Sequence, residues 1–151
     1  MAHLRSILSL AVVTLFLAAC GGSESPTDPG GNNGGGNGGD TRTVKDNPSF
    51  SSDIMEVFTR NGCTASGCHG TGEGGLTMGD ANTTHGNLVG VSSPACGEVR
   101  VIAGNASDSY LVKKLDGSAA CGAQMPLNGS PLDNIDMTNI RNWINQGAAN
   151  N

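Results

Sequence analysis

The chain has few aromatic and few basic residues. Of its 151 residues only 3% are aromatic, and eight Lys or Arg stand against thirteen Asp or Glu, a formal net charge of −5. A nucleic-acid-binding protein needs a cluster of basic residues or a series of stacking aromatic side chains, and this sequence has neither. The composition therefore argues against nucleic acid as a partner. The sequence also shows no internal repeat.

The chain also lacks an apolar run long enough to span a bilayer. Its most apolar segment, residues 7–19, follows Arg5 and has the length of a signal-peptide core, below the roughly 20 residues of a transmembrane helix. Cys20 comes directly after this segment and looks like the modified cysteine of a bacterial lipoprotein. We expect residues 1–19 to be removed and acyl chains on Cys20 to anchor the protein to a membrane. This resemblance implies an extracytoplasmic location, on the periplasmic face or at the outer membrane.

Residues 20–46 are expected to form a lipidated, flexible linker, and residues 47–151 a single domain. Nine of the twenty residues from 21 to 40 are glycine, a composition that buries too little apolar surface to order itself. About 25 flexible residues have an r.m.s. reach of roughly 25–30 Å. The domain has a core poor in aromatic residues, which is easier to understand if a large flat cofactor fills its centre.

Hydrophobic periodicity and capping residues predict an all-α domain with long loops. The helices are predicted over residues 48–60, 82–89 and 107–115, and from an N-cap at Asp133 to a stop at Gly147. Residues 99–102 could form a short strand, but no second strand-like run is available to pair with them.

The segment Cys63-Thr-Ala-Ser-Gly-Cys68-His69 carries the most specific signal in the sequence. Two cysteines closed by an adjacent histidine indicate covalent attachment of haem c, with two thioether bonds and His69 as the proximal iron ligand. Four residues separate the cysteines, where the usual motif has two. They are small, and we expect them to bulge outward.

Two alternatives remain for this motif. Cys63 and Cys68 could close a small disulfide loop beside an incidental histidine. They could also bind zinc with His69, although structural zinc requires four ligands and the only other histidine of the mature domain is His85.

The distal iron ligand should come from a distant part of the sequence. Met125, followed by Pro126, is the natural candidate, because a thioether is a soft ligand that favours ferrous iron and raises the reduction potential. His85 is the main alternative and would give a bis-histidine site. Met78 is a third candidate, and plain core packing is the ordinary role of a methionine.

The remaining cysteines, Cys96 and Cys121, are expected to pair in an oxidising compartment. Such a disulfide would close a loop of about 25 residues and stabilise the domain by roughly 3 kcal/mol. The alternative is two buried free thiols. Arg100, Lys113 and Lys114 could each meet a haem propionate, although solvated surface charge is the default for such residues.

From about residue 48 to 148 the sequence resembles a class I-type c cytochrome domain, especially those on bacterial lipoproteins with an extended Cys-x4-Cys-His motif. The matching landmarks are Phe58-Thr-Arg-Asn-Gly-Cys63, Cys68-His69-Gly70, Ser109-Tyr-Leu-Val-Lys-Lys-Leu115, Met125-Pro126 and Ile140-Arg-Asn-Trp-Ile144 with Gly147-Ala148. The resemblance implies thioether bonds at Cys63 and Cys68, axial roles for His69 and Met125, and a first helix that crosses the last.

The function expected from these features is that of a membrane-tethered monohaem c-type cytochrome, which carries single electrons between extracytoplasmic redox partner proteins. With both axial positions filled, neither enzymatic activity nor a small-molecule substrate is expected. One alternative is a haem-based ligand-binding or catalytic domain with a labile sixth ligand. Another is a haem-free, disulfide-stabilised surface lipoprotein that acts as an interaction module.

Overall fold

The computed structural model of the protein describes residues 42–151, and this part contains four α-helices and no β-strand. The helices are α1 (Met55–Arg60), α2 (Ala81–Leu88), α3 (Tyr110–Asp116) and α4 (Asn134–Asn145). A π-helical turn, Phe50–Ile54, leads directly into α1, and two short 3-10 turns, His69–Thr71 and Glu73–Gly75, come after it. The prediction of a mainly helical domain is confirmed. No helix in residues 42–151 is long and apolar enough to cross a membrane.

The first helical segment begins at a cap supplied by Asn151. The backbone oxygen of Asn151 accepts a hydrogen bond from the Ser51 amide, and its side-chain Oδ1 accepts one from the Phe50 amide, both at 2.9 Å. These bonds satisfy amides that have no partner within the helix itself. The helix predicted over residues 48–60 is therefore present, with a π-helical first turn that apolar periodicity does not reveal.

The core lies where α4 packs against this first segment. The Phe50 and Trp143 rings have centroids 4.8 Å apart, and both side chains are fully buried. Trp143 donates its indole N–H to the Ala149 carbonyl at 2.9 Å, so the only polar atom of the ring is satisfied. Burial of each large apolar side chain contributes about 1.5–3 kcal/mol. Other fully buried core residues are Ile54, Phe58, Leu88, Val112, Ile140 and Ile144.

The C-terminal helix α4 has the boundaries that its capping residues predict. The Asp133 carboxylate accepts a hydrogen bond from the Asp136 amide at 2.9 Å, and Gly147 takes a φ of 102° just after the last turn. The Asp136 carboxylate is buried and accepts two hydrogen bonds from Arg60, at 2.8 and 2.9 Å. This ion pair ties α1 to α4.

Side-chain amides on α4 bind the backbone of residues 42–46. Asn139 accepts a hydrogen bond from the Lys45 amide at 2.7 Å and donates one to the Thr43 carbonyl at 3.0 Å. Asn142 donates to the Lys45 carbonyl at 2.8 Å. We call these contacts the polar clamp. They hold the last part of the predicted linker on the domain.

The segment after α2 lies beside residues 98–102 and is joined to them by isolated β-bridges. The bridged pairs there are Val89–Val101, which is parallel, and Ser92–Val99, which is antiparallel. No second strand-like run pairs with residues 99–102, as the sequence predicts, but these residues make isolated bridges to the segment after α2. Gly90, at a φ of 73°, interrupts the partner segment, so its sequence does not have the pattern of a strand. This pairing brings the Arg100 side chain to the wall of the cavity described next.

Candidate functional site

One cavity of about 380 Å³ lies among α1, α2, α3 and the loops around them. Its volume is within the range of small-molecule and cofactor sites. Three residues that the sequence singles out, Cys63, His69 and Met125, line this cavity together, although His69 and Met125 are 56 residues apart in the chain. The apolar part of the wall includes Phe58, Leu76, Met78, Leu88, Leu111, Leu115 and Leu127.

His69 is held in one orientation by the turn that follows it. Its Nδ1 lies 2.8 Å from the Glu73 carbonyl oxygen, and a Cβ atom on Gly74 would lie 3.9 Å from Cε1 of its ring. A carbonyl oxygen only accepts hydrogen bonds, so Nδ1 carries the proton and donates it. In the neutral imidazole Nε2 then has a free lone pair, the state that metal ligation requires. The geometry thus leaves Nε2 of His69 available as a ligand.

The four residues between the cysteines fold into an outward bulge, as the sequence predicts. The His69 amide donates to the Cys63 carbonyl at 3.0 Å, which closes the loop at its base. The Ala65 carbonyl accepts hydrogen bonds from the amides of Cys68 and Gly70 at 3.0 and 3.1 Å. Residues 65–67 are exposed. The four residues therefore fit in an exposed loop that a hydrogen bond closes at its base.

Gly70 is a site residue whose importance the sequence does not reveal. A Cβ atom at this position would lie 2.3 Å from the Thr64 carbonyl oxygen and 2.9 Å from that of Ala65. Only glycine leaves room for the bulge to fold back against the residue after His69. The resemblance includes this glycine, but the reason for it is visible only in the folded loop.

The two motif cysteines are free thiols in different surroundings. Cys63 lines the cavity, and burial raises the pKa of its thiol to about 11. Cys68 is exposed and is not part of the wall. The alternative disulfide between them is not formed. Within residues 42–151 no group of three or more His, Cys, Asp or Glu could hold a metal ion, so the structure offers no zinc site either.

The candidate distal ligands differ in where they lie. Met125 is half-buried and lines the cavity, as does the buried Met78. His85 does not line it. Its ring packs edge-on against Phe50 with centroids 5.1 Å apart, and its Nε2 lies 2.7 Å from the Ala148 carbonyl oxygen. The alternative of a bis-histidine site therefore has no support in the geometry, because the His85 ring packs from α2 against the aromatic side chains of the core.

Cys96 and Cys121 form the disulfide that the sequence predicts, with their Cα atoms 6.0 Å apart and 25 residues of separation. Cys96 lines the cavity, and Cys121 begins the loop that carries Met125. The bond therefore joins two segments of the wall, and loop-closure entropy assigns it roughly 3 kcal/mol.

Arg100 is a buried cation on a mostly apolar wall. It is 7% exposed and donates hydrogen bonds to the carbonyls of Gly75 and Asn87, at 2.7 and 3.0 Å. Burial lowers the pKa of its guanidinium group. The default expectation of solvated charge is wrong here, because the bridges after α2 carry Arg100 inward. Lys113 instead pairs with Glu98 at 2.7 Å.

Comparisons with known protein families, with curated proteins and with solved structures find no match for this chain. The chemistry of the site is therefore judged from its own residues.

Proposed function

We propose that the chain is a lipid-anchored monohaem c-type cytochrome that carries single electrons between redox partner proteins outside the cytoplasm. One observation carries the proposal: Cys63 and His69, which belong to one motif, line the same apolar cavity as Met125, which is distant in the sequence. Histidine with methionine is the axial pair of cytochromes c. The free lone pair on Nε2 of His69 supports the proximal role.

The residues of the wall suit a covalently bound haem. Cys63 and Cys68 are free thiols, available for two thioether bonds. Cys63 already lies on the wall, whereas the exposed Cys68 has to turn its side chain toward the cavity. Arg100 supplies a buried positive charge, suited to a propionate group. When bound, haem supplies one-electron exchange between ferric and ferrous iron.

The protein residues set the properties of such a site. The Glu73 carbonyl orients the His69 ring and raises its basicity. The thioether of Met125 would favour the ferrous state, so we expect a raised reduction potential. If His69 and Met125 both held the iron, no coordination site would remain for a substrate. An electron carrier is therefore proposed rather than an enzyme.

The membrane anchor is part of the same proposal. Cys20 and the signal peptide at residues 1–19 lie outside the described residues, as does the glycine-rich stretch that follows. Support for lipidation comes from the apolar segment directly before Cys20. Acyl chains on Cys20 would hold the domain at a membrane surface.

The presence of haem is tested on the full chain made with the c-type maturation system. Pyridine haemochrome analysis should find one haem per chain, and the haem should stay on the polypeptide after denaturation. The double variant Cys63→Ala, Cys68→Ala should carry no covalent haem. A colourless parent protein would refute the proposal and favour the haem-free interaction module.

The axial assignment is tested by three single variants. Met125→Ala should abolish the weak far-red charge-transfer band that the resemblance implies for ferric haem, lower the potential and speed cyanide binding. His85→Ala, outside the cavity, and Met78→Ala, inside it, are the controls and should keep the band. Loss of the band in Met78→Ala alone would identify Met78 as the ligand. A high-spin parent that binds cyanide rapidly would favour the ligand-binding alternative.

A further inference from the structure

The loop that carries Met125 is fastened to α3 by several hydrogen bonds. The Met125 amide donates to the Lys114 carbonyl at 2.8 Å, and the Gln124 side-chain amide donates to the Leu115 carbonyl at 3.0 Å. Lys114 also donates through Nζ to the Ala123 carbonyl. The loop is therefore held in place by hydrogen bonds to helix α3.

The Tyr110 hydroxyl lies where this loop meets the disulfide. It donates a hydrogen bond to the Cys121 carbonyl at 2.8 Å and also lies 3.0 Å from the Cys96 sulfur. Tyr110 is 7% exposed, stands in the first turn of α3 and lines the cavity. One buried side chain therefore contacts both halves of the disulfide and the first residue of the loop.

The loop also lies directly on the side chains of α3. A Cβ atom on Gly122, whose φ is 76°, would come within 2.8 Å of Lys114 Nζ and 3.5 Å of the Tyr110 hydroxyl. Lys114 Nζ lies 5.9 Å from the centroid of the Tyr110 ring, within range of a cation–π interaction. Tyr110 thus supports the loop directly and also through Lys114.

Building on the proposed function, we propose that Tyr110 is a positioning residue for the distal ligand, Met125. It acts through the Cys121 carbonyl and the disulfide. Residues 122–124 are exposed and Leu127 is 61% exposed, so in this stretch only Met125 packs against the hydrophobic core. The position of the loop therefore depends also on the disulfide at Cys121 and on the hydrogen bonds to α3. Without the Tyr110 hydroxyl, the loop should leave the cavity more often and release the sixth coordination position.

The test compares Tyr110→Phe with Ser109→Ala in the full chain. Tyr110→Phe removes one buried hydroxyl and keeps the ring. Ser109, its neighbour, is also buried and makes two hydrogen bonds through Oγ, from the Ile102 amide at 2.9 Å and to the Asn105 carbonyl at 2.7 Å. These partners lie outside the Met125 loop. Ser109→Ala therefore controls for a general loss of stability.

In the haem-loaded protein, Tyr110→Phe should keep covalent haem, weaken the far-red band, lower the potential and speed cyanide binding by roughly tenfold, as expected for lost hydrogen bonds of ordinary strength. Ser109→Ala should leave the band and the cyanide rate unchanged. A parental band and cyanide rate in Tyr110→Phe would overturn the inference. Equal changes in both variants would overturn it too, because they would reflect destabilisation alone.

A second readout does not depend on haem. The Met125 amide donates a hydrogen bond to α3, and its hydrogen-exchange rate reports how often the loop opens. Relative to the exchange rates of the α4 amides in the same protein, this rate should be higher in Tyr110→Phe than in the parent. In Ser109→Ala it should equal that of the parent. If the parent carries no haem, the proposed function fails, while this measurement still decides whether Tyr110 holds the Met125 loop on α3. Equal exchange at Met125 in Tyr110→Phe and the parent would refute that role.

Discussion

Gly70, directly after His69, is the position where one added methyl group should do most damage. An alanine Cβ would lie 2.3 Å from the Thr64 carbonyl oxygen. Carbon and carbonyl oxygen ordinarily approach to about 3.3 Å, so the Thr64 peptide has to retreat by about 1 Å. The obstacle is backbone, which cannot rotate away as a flexible side chain would.

The size of the effect follows from the bonds that this movement strains. The Ala65 carbonyl, 2.9 Å from the same Cβ position, accepts hydrogen bonds from the amides of Cys68 and Gly70. Weakening the two bonds costs about 1 kcal/mol each, and overpacking adds about 1–3 kcal/mol. We expect Gly70→Ala to lower the free energy of unfolding by about 3–5 kcal/mol, a large share of the roughly 5–15 kcal/mol typical of a domain.

Urea unfolding of the full chain, followed by circular dichroism, measures this loss as a lower midpoint at unchanged slope. The matched control is Gly86→Ala in α2, where a Cβ atom meets nothing within 4 Å. Removing a glycine from a helix interior should stabilise the protein by about 0.5–1 kcal/mol. If Gly70→Ala unfolds at the parental midpoint or above it, the steric argument about the bulge is wrong.

The remaining expectations concern the anchor and the response to acid. Cys20→Ser should leave the domain folded and release the protein from membranes, because the acyl anchor is lost; continued sedimentation with membranes would contradict the lipoprotein assignment. Asp80 caps α2, and hydrogen bonds from the Thr83 amide and hydroxyl hold the pKa of its carboxyl below the usual value. Its stabilising contribution is therefore present above the unfolded-state pKa of about 3.9 and is lost as pH falls through the folded-state pKa. Asp80→Asn should lower the Tm at neutral pH by an amount that vanishes on acidification, and thermal melts that keep a constant difference down to low pH would contradict this.

Local signals are sufficient for some helices and insufficient for others. The helix predicted over residues 82–89 corresponds closely to α2, and α4 starts directly after its predicted N-cap. The helix predicted over residues 107–115 begins later, at Tyr110. The Asn105 side chain accepts a hydrogen bond from the Asp108 amide at 3.1 Å. This bond holds a polar turn in front of the helix. Side-chain bonds of this kind compete with helix formation, and apolar periodicity does not register them.

Some residues of the candidate site can be predicted from the sequence and others cannot. Cys63, His69 and Met125 are predicted because each belongs to a short segment whose chemistry is recognisable without the fold. The burial of Arg100 and the contacts of Tyr110 depend on the bridges after α2 and on the disulfide, and these are contacts between distant segments. A sequence does not show which of two faces of a helix points inward when both carry apolar and polar residues. Other segments decide this by packing against the helix.

The polar clamp between α4 and residues 42–46 bears on how widely the proposed anchored domain can search for partners. From Cys20 to Arg42 the covalent chain has 22 residue steps, which reach at most about 75 Å when fully extended. Opening the clamp as far as Asp46 would lengthen this radius by about 14 Å. The accessible volume around the anchor would then grow by more than half, and the local concentration of the domain at a neighbouring partner would fall accordingly. If the domain is anchored as proposed, the amide side chains of α4 would influence how often it meets a partner, although they do not line the cavity.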